Sequence, residues 1–149
     1  MGKEFTAEIE KFLKGDLSIR ELLSIDDIEL EYLQQIGYIF FREGRLREAE
    51  IIFRGILKIA PEEPYVYFAL GGIYFSMGKI DSARKFFEKG ISMDPENVEG
   101  LLNLGEILLE LGERKKAYGY LMRCKELVKR DNYPVYTRVR LLLSTFFEK

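Results

Sequence analysis

The chain has 149 residues, 47% of them hydrophobic and 32% charged, with a formal net charge of −2. That is the composition of one globular domain with a substantial core, and it excludes the disordered and membrane-spanning classes. There is no histidine and one cysteine, Cys124, so an internal disulfide is excluded, and catalytic triads and most transition-metal sites lose their usual parts.

The first residues, Met-Gly-Lys-Glu-Phe, lack a hydrophobic signal core, and no uncharged apolar run approaches the roughly 20 residues a bilayer requires. A cytoplasmic location is the expectation. Residues 3–14 predict a short amphipathic helix with Phe5, Ile9, Phe12 and Leu13 on one stripe, ended by Gly15-Asp16. A second short segment runs from Ser18 to Leu23. Ser24 then reads as an N-cap with Asp26 and Asp27 in the first turn of the next helix.

From here the sequence repeats. Gly37, Gly71 and Gly105 lie 34 residues apart, as do Gly44, Gly78 and Gly112, and Ala49, Ala83 and Ala117, with Pro61 and Pro95 on the same step. A fixed period of this size means stacked helix-turn-helix units, none able to bury its apolar face alone. The units span about 30–63, 64–97 and 98–131. Gly44, Gly78 and Gly112 end each first helix, and Pro61 and Pro95 close the second helices of units one and two. Unit three has Lys129 at the proline position, which predicts a longer second helix there. After the break at Asp131-Asn132-Tyr133-Pro134, a last helix over 134–147 should cap the stack through Val135, Val139, Leu142 and Phe146. The expectation is one domain: an N-terminal helical segment (1–29), three repeats (30–131) and a capping helix (132–149).

The signature residues are Leu33, Ile36-Gly37, Phe40, Ala49, Phe53 and Pro61 in unit one, and Tyr67, Leu70-Gly71, Tyr74, Ala83, Phe87 and Pro95 in unit two. Unit three has Leu101, Leu104-Gly105, Leu108, Ala117 and Leu121. This pattern resembles the tetratricopeptide repeat. The resemblance implies an all-α, right-handed solenoid. It also makes these residues core. Cys124 reads as a small core residue and not a nucleophile, since no histidine exists to activate it. The flanks, with Leu22-Leu23-Ser24-Ile25-Asp26-Asp27 leading into repeat one and Ser76-Met77-Gly78-Lys79-Ile80-Asp81 in repeat two, look like the class II chaperones of type III secretion. That family holds translocator proteins in the bacterial cytoplasm before export.

At 100° per residue, the fifth, ninth and twelfth positions of each first helix form a second stripe beside the signature stripe. It reads Gln34, Tyr38, Phe41, then Phe68, Gly72, Phe75, then Leu102, Glu106, Leu109, with Tyr65 at its edge. In stacked helical repeats this stripe lines the concave side, and exposed aromatics there mark an interaction site; the alternative is that the N-terminal segment or the last helix folds back and fills the groove. The resemblance carries over Tyr38, Phe41, Tyr65, Phe68, Phe75, Leu102 and Leu109 as groove residues for an extended apolar segment. It also implies homodimer contacts through Phe5, Ile9, Phe12 and Leu13, for which docking on the protein's own repeats is the alternative.

Other activities have weaker support. Glu106 and Glu110 would repel the acidic C-terminus that another repeat class clamps. Residues 114–140 hold nine Lys/Arg against Glu126 and Asp131, but the cations spread around the helix with few aromatics between them, so they read as a solvated face and not a nucleic-acid site. No phosphate loop, metal-ligand spacing or nucleophile motif occurs. The expectation is a non-catalytic protein-binding module without cofactor or metal. Within that class, a secretion chaperone stands against a generic assembly scaffold.

Overall fold

The computed structural model describes the backbone of residues 2–148 and the side chains of residues 7–148. Among them every regular element is a helix: α1 (Gly2–Lys14), α2 (Ile19–Leu22), α3 (Asp27–Arg42), α4 (Leu46–Ile59), α5 (Pro64–Ser76), α6 (Ile80–Met93), α7 (Val98–Glu110), α8 (Arg114–Leu127) and α9 (Tyr133–Phe146). None is long and apolar enough to cross a membrane. The chain divides into two compact units, Met1–Val66 and Tyr67–Lys149.

The same device ends α3, α5 and α7. Gly44, Gly78 and Gly112 have φ of +75°, +73° and +75°, a left-handed conformation that side-chain-bearing residues adopt at a cost. The amide of the residue after each glycine donates back to a carbonyl of the last helical turn: Arg45 to Phe40, Lys79 to Tyr74 and Glu113 to Leu108. These carbonyls would otherwise be orphaned, and the αL glycine reverses the chain into the second helix.

In the first unit, α3 packs along α4 over Leu30, Ala49, Phe53, Ile56 and Ala60, all buried. The start of α3 differs from the sequence expectation. Its N-cap is Asp26, whose carboxylate accepts from the Glu29 amide at 2.8 Å, while the Glu29 side chain accepts from the Asp26 amide. Ser24 sits two residues earlier at φ +54°, in the turn that leads to the cap. Asp26 wins because a residue three before Glu29 completes a reciprocal capping box. Ser18 caps α2 in the same way with Glu21.

In the second unit, α6 packs on α7, α7 on α8, and α9 on both α7 and α8. Leu101, Leu102, Leu121, Cys124, Val128, Val135, Val139, Leu142 and Leu143 form one buried cluster. Arg84 on α6 is paired with Glu88 and with Glu113 at the head of α8. Two expectations are corrected here. Without a proline, α8 is no longer than α4 or α6: each has 14 residues. Val128 turns to an extended ψ of 129° and is drawn into the core beneath α9, which stops the helix as effectively as a proline would. Phe146 is 39% exposed, and Leu143 takes the inward place. The helix ends at Phe146, its ring lies beside the Arg114 guanidinium, and it is Phe147 that packs on the core cluster.

Candidate peptide-binding surface

In the first unit, Tyr38 and Phe41 stand one turn apart on α3, with Tyr65 at the start of α5. Tyr38 and Tyr65 are 48% and 44% exposed, and Phe41 is half-buried. The Tyr65 ring meets Phe53 edge-on at 6.0 Å. Partial burial, with the nearby Tyr38 phenol as a second cause, raises the Tyr65 pKa, so the Tyr65 phenol stays neutral near pH 7. The Arg42 guanidinium lies 6.0 Å from the Tyr38 ring centre. This is a cluster of aromatic faces with polar tips, suited to apolar side chains and backbone of an extended chain.

In the second unit the stripe is used differently in its two repeats. Phe75 is half-buried on α5. Phe68 is also half-buried, but its ring is wedged against two helix backbones. A Cβ added to Gly90 would lie 2.7 Å from the ring, and Gly100 allows an even closer approach. Phe68 is therefore a packing residue that shows one edge to solvent. Gly90 and Gly100 were the sequence signal for that wedge.

The third-repeat part of the stripe is not open. Leu102 is 7% exposed inside the cluster formed with α9, and Leu109 packs against the same cluster. Glu106 between them accepts a hydrogen bond from Arg138 of α9. The capping helix thus covers Leu102, Glu106 and Leu109, and the two leucines, expected to be groove residues, serve the C-terminal cap.

At the N-terminus, the Phe5 side chain lies outside the described residues. Phe12 lines a cleft of about 430 Å³ with Ile19, Ile59 and Pro61, and α1 packs on α2. Ile9 is half-buried and Leu13 is 75% exposed. Cys124 is buried, its thiol donates to the Val98 carbonyl at 3.3 Å, and burial pushes its pKa up to about 11. It is held as an unreactive thiol. Among the described residues, no cluster of three or more His, Cys, Asp or Glu side chains could hold a metal ion.

The repeat geometry can now be set beside known proteins. A tetratricopeptide repeat model matches residues 30–63 and 64–97, and a second model of the same repeat matches 86–117. The chain belongs to the tetratricopeptide repeat family. The first two matched spans coincide with units one and two of the 34-residue period. No curated protein matches the sequence. Among solved structures, the fold is similar to the Yersinia enterocolitica type III secretion translocator chaperone SycD (24% identity, 87% of this chain, 98% of that chain, TM-score 0.79). It is similar to SycD in complex with a peptide of the translocator YopD (24%, 81% and 94%, TM-score 0.75). It is also similar to Pseudomonas aeruginosa PcrH in complex with the chaperone binding region of PopB (20%, 80% and 98%, TM-score 0.73). At these identities the likeness is one of fold.

Proposed function

We propose that this tetratricopeptide repeat protein is a non-catalytic cytoplasmic chaperone that holds an extended apolar segment of a type III secretion translocator. The observation that carries the reading is the exposure of Tyr38 and Tyr65 beside one another, on a stripe that helix pairing within a repeat does not need. Phe41 and Phe75 extend the same set of positions. Leu102 and Leu109 are left out, since α9 covers them. Structures with this fold include chaperones bound to translocator peptides, SycD with YopD and PcrH with PopB, which favours a secreted translocator over a stable assembly component.

The energetics suit a reversible grip. Three anchored apolar side chains contribute roughly 5–9 kcal/mol gross. Ordering a flexible segment takes back several kcal/mol, which leaves binding of a short peptide near micromolar.

The test places a photo-crosslinking phenylalanine analogue at Tyr38 or Tyr65 in the native host and identifies the captured protein by mass spectrometry. A secreted translocator, joined through an apolar stretch, is the expected product. Capture of a stable cytoplasmic complex component would replace the chaperone reading with a scaffold. No capture at either position, with capture from the exposed side of α4, would move the binding face.

A further inference from the structure

The 34-residue register sets Arg114 in the place of Leu46 and Ile80, and Lys125 in the place of Leu57 and Ile91. The four apolar residues are half-buried, whereas Arg114 and Lys125 are exposed. The third repeat thus carries cations where the first two carry side chains that pack. In sequence the cations of α8 spread around its circumference, and α9 gathers those on one flank. Lys115, Tyr118, Met122 and Lys125 are spaced by three, four and three residues, which draws one line along α8. Arg140, Ser144 and Phe147 draw the facing line on α9, with the Tyr118 and Phe147 ring centres 5.1 Å apart. Two clefts open along this seam. One, of about 440 Å³, is lined by Arg114, Lys115, Tyr118 and Phe147. The lining of the other, of about 320 Å³, includes Lys125, Thr137, Arg140, Ser144 and Glu148.

The charge of the seam is one-sided. Among the described residues, Glu148 is the one carboxylate that lines either cleft, and no carboxylate forms an ion pair with Arg114, Lys115, Lys125 or Arg140. Lys116 and Arg138, off the seam, are paired with Glu113 and Glu106. Arg114 donates to the Phe146 carbonyl at the end of α9, and Arg140 to the Tyr136 hydroxyl at 2.7 Å. Both acceptors are neutral, so the two charges stay uncompensated. The bond from Arg140, with the charge of Arg130 adding to it, holds the Tyr136 pKa below its usual value, which marks a positive local field. A face kept polar only for solubility intersperses both signs.

We infer that the α8–α9 seam binds an acidic, extended segment of a partner protein. An apolar side chain of that segment rests against Tyr118 and Phe147, with carboxylates at Lys115 on one side and at Lys125 and Arg140 on the other. Charge complementarity selects this partner, and Arg with Tyr are the residues that most often anchor protein interfaces. Tyr118 and Lys125 lie two turns apart on α8, about 10 Å, which about three residues of extended chain span. The second carboxylate therefore stands about three residues from the apolar anchor. Nucleic acid fits less well. Base stacking needs an open ring face, and here Tyr118 and Phe147 pack on each other. The residues before Arg114 are acidic enough to bring the whole chain to −2, a field that repels phosphates. The inference holds whatever Tyr38 and Tyr65 bind.

Fluorescence anisotropy with the intact protein tests this. The probe is a labelled peptide, Gly-Asp-Glu-Phe-Gly-Ser-Glu-Asp-Gly, and its control carries Asn and Gln in place of the acids. The acidic peptide should bind at low salt, weaken as salt rises, and bind at least about tenfold more tightly than the control. Lys115→Glu with Lys125→Glu should keep the helical circular dichroism, since both side chains are exposed, and weaken the acidic peptide by at least about tenfold. Lys85→Glu with Lys89→Glu makes the same charge change on exposed positions of α6, and should weaken it by less than about twofold. Equal binding of the two peptides, or equal losses for the α6 and α8 variants, would overturn the proposal. A single-stranded oligonucleotide of equal charge that binds more tightly than the peptide, and is lost with Lys115 and Lys125, would also overturn it, in favour of nucleic acid.

Discussion

The ring of Phe87 packs against the backbone of Gly71, so close that a Cβ on the glycine would sit 2.8 Å from two ring carbons. Gly37 stands in the same relation to Phe53, and Gly105 to Leu121. Each pair joins the first and second helices of one repeat. The small residue lets the helices approach, and the large one fills the space this leaves, which is why both recur with the 34-residue period.

Gly71→Ala should therefore destabilise the fold by about 1–3 kcal/mol through overpacking. Gly119→Ala is the control. Gly119 lies within α8 without a positive φ and has open space where a Cβ would go, so alanine there should raise stability by roughly 0.5–1 kcal/mol. Urea unfolding followed by circular dichroism separates the two. A neutral Gly71→Ala would mean that the ring is not seated on the backbone.

Gly78 tests backbone conformation without crowding. Nothing lies within 4 Å of its missing Cβ, yet its φ is +73°. Gly78→Ala should cost about 1–2 kcal/mol. Gly78→Asn should cost less, because asparagine tolerates the left-handed region at a helix end. Equal losses for the two variants would show that something other than the dihedral sets the cost.

Phe68 and Tyr38 share a stripe and should behave differently. Phe68→Ala removes a ring wedged between Gly90 and Gly100, and should lower stability by about 2–3 kcal/mol, less than for a fully buried ring. Tyr38→Ala changes an exposed side chain, and should stay within about 0.5 kcal/mol. Thermal or urea midpoints give the comparison. For this reason a loss of binding after a change at Tyr38 or Tyr65 reports on the surface, whereas a loss at Phe68 also reports on the fold.

Cys124 gives the alkaline limb of stability a specific component. The folded protein holds the thiol protonated to about pH 11, whereas an exposed cysteine loses its proton near 8.5. The native state binds that proton more tightly, so the contribution is whole below the unfolded value and is lost as pH rises toward 11. Wild-type protein should lose stability through this window more steeply than Cys124→Ala. Parallel slopes for the two would show that the thiol is not shielded.

Much of the architecture was written in local patterns. The period located each repeat, the glycines located each turn, and Gly37, Gly71 and Gly105 marked the close helix pairs, because these depend on residues near in sequence. Ser24 against Asp26, and Lys129 against Val128, were harder. In each case two nearby residues could end or begin a helix. The first was decided locally, by the Glu29 side chain three residues after Asp26, and the second by a distant partner, the core beneath α9.

The sequence by itself determined a helical repeat protein, its register, and the aromatic character of the positions beside the signature stripe. Periodicity fixes which residues share a helix face, and a face is a local property. Tertiary structure decided which faces stay open. Helix α9 closes the third-repeat stripe over Leu102 and Leu109, two glycines turn Phe68 into a wedge, and Tyr38 and Tyr65 are left facing solvent. Exposure is set by what the rest of the chain lays across a face, and contacts between residues far apart in sequence leave no mark in its period.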